Sequence, residues 1–372
     1  MKKTRLILAG GFLGAGKTTL LWEAAKRLMA EGKRVGLVTN DQAPELVDTR
    51  ILQGDGLKVE EVAGSCFCCN FNGFVDAIKN LRSDIVADVI IAEPVGSCAD
   101  LSATIVNPLK KYHSTELTIS PLTVLADPAR LDSILQNGDG GLHEDAAYIY
   151  RKQLEEADVI LITKTDTLTK EQADMILSST QQTFPTAKVM TISSAAGEGV
   201  DEWLQEVSSR TEAGTKLLDI DYDRYAHGEA VLGWLNGTLH LTGEGICWDD
   251  VLQDIMSELA SAITSESLRA GHVKLIMECG KDYAVSNLTG ADNQEPGKLT
   301  NPITLRGKAG VADEAKLIIN ARVETSPEHL DQLVRNVLIE SLPGNCQEEV
   351  LTWRYLQPGR PNPTHRFNET VQ

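Results

Sequence analysis

Short apolar runs alternate with amphipathic stretches through the first 210 positions. Runs rich in Val, Ile and Leu at 6–9, 35–39, 89–92, 122–126, 159–163 and 189–193 have no polar alternation, which predicts strands buried on both faces. Between them, 18–31, 74–82, 98–112, 146–156, 170–183 and 200–209 carry apolar residues at helical spacing. Strand–helix alternation of this kind predicts an α/β fold: a mostly parallel sheet with helices on both faces. The rhythm breaks over 211–226, a charged and poorly periodic linker. From 227 to 372 the order changes: strands at 230–241, 272–278, 316–323 and 350–355, with helices at 249–263 and 327–339. That order predicts a smaller α+β domain with an antiparallel sheet, and the Gly-, Asn-, Asp- and Pro-rich stretch 281–313 is expected to be a long mobile loop.

The 372 residues are ample for two domains of ordinary size. With 42% hydrophobic and 24% charged residues, the chain can bury a core without disulfide or metal staples. Its formal net charge of −18 disfavours nucleic acid and anionic lipid as partners. Lys2-Lys3 before the apolar run superficially resembles an export leader, but Lys17-Thr18-Thr19 interrupts it without a cleavage pattern. No apolar run reaches the roughly 18–20 residues of a membrane span. An odd count of seven cysteines fits reduced thiols, and the expected location is the cytoplasm.

Chemistry enters first at Gly11-Phe-Leu-Gly14-Ala15-Gly16-Lys17-Thr18-Thr19, which has the G-x4-G-K-[ST] spacing of a phosphate-binding P-loop. Glycines let the backbone curl so that its N–H groups face phosphate oxygens, and the helix that follows adds its positive end. Lys17 is suited to the β- and γ-phosphates and the Thr18 hydroxyl to Mg²⁺. The buried run 89–92 ends in Glu93, an acidic group for the magnesium shell, and Glu93-x-x-Gly96 places the Gly96 amide where a γ-phosphate is sensed. Lys17, Thr18 and Glu93 are therefore the candidate catalytic set. A further buried run leads into Thr163-Lys164-Thr165-Asp166. There a carboxylate can accept both N1–H and N2–H₂ of guanine, and the lysine stem can lie across the base. Ser194 and Ala195, after the next strand, are candidates for a backbone contact to guanine O6. GTP is thus favoured over ATP.

Cys66-Phe67-Cys68-Cys69 packs three thiols into four positions. Thiolates so placed suit a borderline cation such as Zn²⁺ or Co²⁺ and leave a coordination position open, which favours transfer over permanent structure. Cys98 is a further candidate ligand if its loop folds back, and Asp41, Glu45 and Asp48 are oxygen candidates. A redox dithiol and plain packing are the competing readings of the cluster. Cys247, Cys279 and Cys346 are isolated, and packing explains them better. His227, His272 and His365 are scattered and read as packing or surface residues.

P-loop, C-x-C-C, E-x-x-G and T-K-x-D, in this order over residues 4–210, resemble the CobW-type P-loop GTPases. Their wider class includes the nickel-insertion GTPases of urease and hydrogenase and the chaperone of methylmalonyl-CoA mutase. The resemblance implies slow GTP hydrolysis gating delivery of a metal ion to a client protein. By position it implies phosphate and Mg²⁺ at Gly14, Gly16, Lys17 and Thr18, and guanine at Lys164 and Asp166. It also makes Glu93 the acidic residue of the second motif and Cys66, Cys68 and Cys69 the metal motif. Departures are Thr163 where Asn is usual, Asn40-Asp-Gln-Ala-Pro-Glu45 in place of N-[DE]-F-G-E, and Glu93-Pro-Val-Gly-Ser-Cys98 in place of E-T-T-G-L-A. The expected partners are GTP and a client metalloprotein or cofactor enzyme, with a homodimer as an option. Two other functions remain open: a G-protein guarding or reactivating a corrinoid-type enzyme without carrying metal, and a P-loop kinase of a small molecule.

Overall fold

The computed structural model describes residues 2–41, 57–63, 65–290 and 303–372. Glu45 and Asp48 lie outside these residues, as does the side chain of Asp41. The chain divides into two compact units. The first comprises Met1–Gly138, Ala147–Tyr225 and Pro361–Gln372; the second comprises Asp139–Ala146 and Ala226–Arg360.

In chain order, the first half contains β1 (Thr4–Gly11), α1 (Lys17–Ala30), β2 (Val35–Asp41), β3 (Lys58–Ala63), α2 (Phe71–Asp84), β4 (Val89–Glu93), α3 (Asn107–His113), β5 (Leu117–Ile119), β6 (Thr123–Ala126), α4 (Pro128–Leu135), α5 (Glu144–Glu156), β7 (Val159–Ile162), α6 (Lys170–Thr183), β8 (Lys188–Thr191) and α7 (Val200–Ser209). There follow α8 (Tyr222–Ala230), β9 (Leu232–Cys247), α9 (Trp248–Ser265), β10 (Ala270–Cys279), β11 (Asp282–Leu288), β12 (Ile303–Lys308), β13 (Val311–Glu324), α10 (Pro327–Ser341) and β14 (Gln347–Leu356).

The first unit is built on a parallel sheet in the order β3-β2-β4-β1-β6-β7-β8, with the short β5 also beside β1. Its central strands are apolar along their length because both faces are covered; β6 and β7 are buried at every position. One face packs on α1 and α7, where Leu20, Leu21, Leu28, Trp203 and Val207 meet Ile7, Leu37, Ile91 and Leu161. β1 lies between β4 and β6, so the loop that leaves it opens at the carboxyl ends of three adjacent strands. This is where α/β sheets place their ligands.

The second unit is an antiparallel sheet, β12-β11-β10-β13-β9-β14. Trp248, Val251, Leu252, Ile255, Met256, Leu259 and Ile263 recur at helical spacing in α9 and share a core with Leu330, Val334 and Val337 of α10.

Several expectations need correcting. Of the stretch expected to be a loop, 281–313, residues 291–302 lie outside the described residues, and the rest contains β11, β12 and the start of β13; the alternation in β12, Ile303-Thr-Leu305-Arg, is only four residues long and every position is exposed. The expected linker is anchored through residue 225 in the first unit. Gly214 N–H donates to Asp158 (2.7 Å), Lys216 to the Ala157 carbonyl (2.6 Å), and α8 begins at Tyr222. Residues 361–372 also belong to the first unit, although the expected second domain ran from 227 to 372. The helix expected from 98 starts later: Asp100 sits at φ 63, a π-helical turn covers Ser102–Val106, and α3 follows. Cys98 is therefore on a loop.

Candidate functional site

Gly11, Gly14 and Gly16 all have positive φ, at 133°, 77° and 88°, which a side chain would strain. A Cβ on Gly11 would stand 2.4 Å from the Leu125 carbonyl, so the turn out of β1 is possible only without one. α1 starts with Gly16 at its N-cap and has no side-chain cap, leaving its first amides to the loop's interior. Lys17 is folded over that loop, donating to the carbonyls of Gly11 (3.0 Å) and Phe12 (3.4 Å), with Glu93 at 3.9 Å. The Thr18 hydroxyl donates to the Glu93 carboxylate at 3.2 Å. The three expected catalytic groups thus converge. Ala15 is buried within the loop, and Thr19 follows Thr18 on the first turn of α1.

Gly96 is pressed against the loop: a Cβ there would meet the Leu13 side chain at 2.8 Å and the Leu13 nitrogen at 3.1 Å. Gln153 of α5, which no motif marks in the sequence, donates through its amide group to the carbonyls of both Gly96 (2.9 Å) and Cys98 (2.8 Å). One side chain thereby ties the segment beside the P-loop to a cysteine. Its type, a lone Gln on a helix with no motif around it, offered no signal.

At the expected guanine segment, Lys164 is held at φ 54 and its ammonium pairs with Asp127 (2.7 Å). Asp127 in turn caps α4 through the amides of Ala129 and Arg130. Asp166 is exposed, and one of its oxygens accepts from the Ser193 hydroxyl at 2.6 Å. The Ala196 amide donates to that same hydroxyl (3.1 Å), so Ser193 orients the carboxylate against the 193–199 turn. Thr163 is buried and its hydroxyl donates to the Ala126 carbonyl (3.2 Å), bracing the loop on β6. Ser194 and Ala195 sit on the turn itself, half-buried and exposed. Asp127 and Ser193 are partners the sequence did not reveal, because they come from different strand ends.

The cysteine cluster is assembled by one tight turn. The Cys66 carbonyl accepts from the amides of Cys69 (3.0 Å) and Asn70 (2.9 Å), which brings all three sulfurs within 4.8 Å of one another. Cys66 and Cys68 are 2.9 Å apart and Cys68 and Cys69 3.9 Å. Asn40, at the end of β2, fixes the turn: its side chain donates to the carbonyls of Val62 and Ser65 and accepts from the Phe67 amide. Cys98 is buried and its thiol acts on those of Cys66 and Cys68, but it is not one of the three residues whose ligand atoms all lie within 4.8 Å of one another. Hydrogen bonds from Cys68, then Cys69 and Cys98, pull the Cys66 thiol far below its ordinary value. Cys68 is pushed well up, chiefly by its bond to Cys66, and Cys69 is raised to about 11, first by Cys66. Three thiols this close, with Cys66 the one most inclined to ionise, form an arrangement that a soft or borderline cation can enter by displacing protons.

All seven cysteines are free. Cys279 is buried and Cys247 and Cys346 partly so, apart from the cluster. His227 is exposed and pairs with Asp145, while the Asp145 amide donates to His143 Nδ1 (3.2 Å). These three side chains also gather potential ligand atoms, though a hydrogen bond and an ion pair already join them. His272 faces Asn287, and His365 packs between Phe71 and Tyr112. Among the described residues no helix is long and apolar enough to cross a membrane.

The chain is 28% identical over 177 residues to the zinc chaperone CobW of Sinorhizobium sp, covering 42% of this chain and 49% of that protein. It is 28% identical over 178 residues to the zinc chaperone YjiA of Escherichia coli strain K12, covering 45% and 51%. It spans about half the length of these relatives. Zn(II)-bound YjiA GTPase from E. coli is similar in structure, at 14% identity and a TM-score of 0.36, over 92% of this chain and 100% of that one. The model of the CobW/HypB/UreG nucleotide-binding domain matches residues 5–191, just over half of the chain, and the chain therefore belongs to the CobW/HypB/UreG family.

Proposed function

We propose that this protein is a cytoplasmic, GTP-hydrolysing metallochaperone that takes up Zn²⁺ or Co²⁺ at Cys66, Cys68 and Cys69, with Cys98 as a fourth sulfur, and delivers it to a client protein. The observation that carries this reading is the brace between the two sites. Gln153 holds the carbonyl of Gly96, which abuts the P-loop, and the carbonyl of Cys98, whose buried thiol acts on that of Cys66. The names of the zinc-chaperone relatives support it.

The chemistry follows from the residues. Lys17 now donates to loop carbonyls, and β- and γ-phosphate oxygens are stronger acceptors for the same ammonium. Thr18 and Glu93 form a neutral–anionic oxygen pair that fits a hard divalent cation such as Mg²⁺. When bound, that ion supplies charge neutralisation between the β- and γ-phosphates. Lys17 and the loop amides stabilise the charge that develops on the phosphoryl oxygens. Asp166, held by Ser193, accepts from guanine, and Lys164, pinned by Asp127, lies beside the base. A γ-phosphate at the Gly96 amide shifts the 93–98 segment, and Gln153 passes the shift to Cys98. The metal then experiences two ligand geometries, and the difference in affinity between them drives release.

Equilibrium dialysis against Zn²⁺ or Co²⁺, with and without Mg-GTP, tests this. Metal affinity is expected to differ between the two conditions, and equal affinity would remove the coupling. Cys66→Ala/Cys69→Ala is expected to lose metal and keep nucleotide. Stoichiometric metal retained by that variant would rule the cluster out as the site.

A further inference from the structure

Residues 361–372 return to the first unit as irregular chain and lie across the cysteine cluster. Three contacts go to the turn carrying Cys68 and Cys69. The Asn362 amide donates to Cys69 Sγ (3.2 Å), the Thr364 amide to the Cys68 carbonyl (2.8 Å), and the Thr364 hydroxyl to the Cys69 carbonyl (3.1 Å). Two residues further on, the same segment grips the loop that carries Cys98. The Arg366 guanidinium donates to Asp100 (2.7 Å), a wholly buried carboxylate two residues beyond Cys98, and to the Leu218 carbonyl (2.9 Å). Tyr222 donates to the same Asp100 oxygen (2.9 Å). The Phe367 amide donates to the Ala103 carbonyl (3.0 Å), and His365 is packed edge-on to Phe71.

One stretch of six residues therefore joins the two separate loops that bring sulfurs together. We propose that residues 362–367 are a positioning strap for the metal site. They hold the Cys68–Cys69 turn and the Cys98 loop in register, the Asn362 amide tunes the Cys69 sulfur directly, and metal leaves when the strap lifts. This rests on the thiol cluster being the metal site. An N–H aimed at sulfur stabilises negative charge there, and outer groups that orient ligands commonly alter metal affinity 10–100-fold. Irregular chain held by a handful of bonds at its edge opens more readily than a strand in a ladder. The buried Asp100 is the exception, since losing Arg366 leaves a carboxylate deep in the protein with one ion-pairing partner fewer.

The test uses the full chain loaded with Co²⁺, whose sulfur-to-metal charge-transfer bands report the thiolates, and a chromophoric chelator to time release. Thr364→Val and Arg366→Gln are each expected to speed release by about 10-fold or more. Arg366→Lys should restore part of the loss, and Asn362→Pro, which deletes the amide donor, should shift the charge-transfer band. In metal-free protein, nucleotide affinity is expected to stay at the parent value in all of them. Parent-like release and spectra in folded variants would overturn the strap and leave the metal site standing. Failure of the parent itself to bind metal would instead overturn the underlying reading. Should the variants unfold, hydrogen exchange on the parent decides: Zn²⁺ is expected to slow exchange at the Asn362 and Thr364 amides, and unchanged exchange there would refute the strap.

Discussion

Glu156 shows how one buried group sets a pH dependence. It is wholly buried, and one oxygen accepts from the Ser102 amide (2.9 Å). Burial first, opposed by that amide and reinforced by nearby Asp100, pushes its carboxyl up to about 8. An unfolded glutamate titrates near ~4.3, so between that value and 8 the folded state keeps a proton that the unfolded state gives up. Stability contributed by this group is fully present below the unfolded value, is lost as pH rises at roughly 1.4 kcal/mol per unit, and levels off above about 8. Glu156→Gln keeps an acceptor for Ser102 and needs no proton. Urea denaturation should show the variant gaining on the parent between pH 5 and 8, by on the order of 3 kcal/mol. A constant gap would refute the assignment. At this scale the sequence was most legible where chemistry is local. Lys17, Thr18 and the cysteine triplet could be read because each sits in a short motif of fixed spacing, even though Thr18 meets Glu93 75 positions away. Gln153, Asp127, Ser193 and Arg366 could not, since each acts on a residue 27 or more positions away.

Among elements, the β1–α1 junction is set most tightly. Gly11 runs beside Leu125 in β6, and its φ of 133° together with the 2.4 Å approach leaves no room for a methyl group. Gly11→Ala is expected to cost about 1–3 kcal/mol in thermal or urea unfolding and to weaken GTP binding in a nucleotide titration. Parent-like values in both would mean that the turn relaxes without cost. Buried parallel strands were legible because each is a continuous apolar run bounded by polar residues. β12 was not, because an exposed edge strand has no face to bury, and β3, an edge strand that buries Val59 and Val62, hid because Glu60 and Glu61 break its apolar run. The Cys98 loop was misread as helix because its residues are apolar enough for one; the left-handed turn at Asp100 overrides that pattern.

For the molecule as a whole, two separate cores predict two thermal transitions. Mg-GDP should raise only the transition of the first unit, by about 2.7 kcal/mol at a hundredfold excess over its Kd. Calorimetry in which both transitions move together would show that the units unfold as one. The Gln153 amide, shared between two carbonyls, carries a consequence in the other direction. Thermodynamic linkage is symmetric, so whatever factor GTP exerts on cation binding, the cation exerts on GTP binding. Under the proposed function a protein wired in this way is also a gauge: the supply of the cation around it sets what fraction of the protein carries nucleotide, and so reports scarcity.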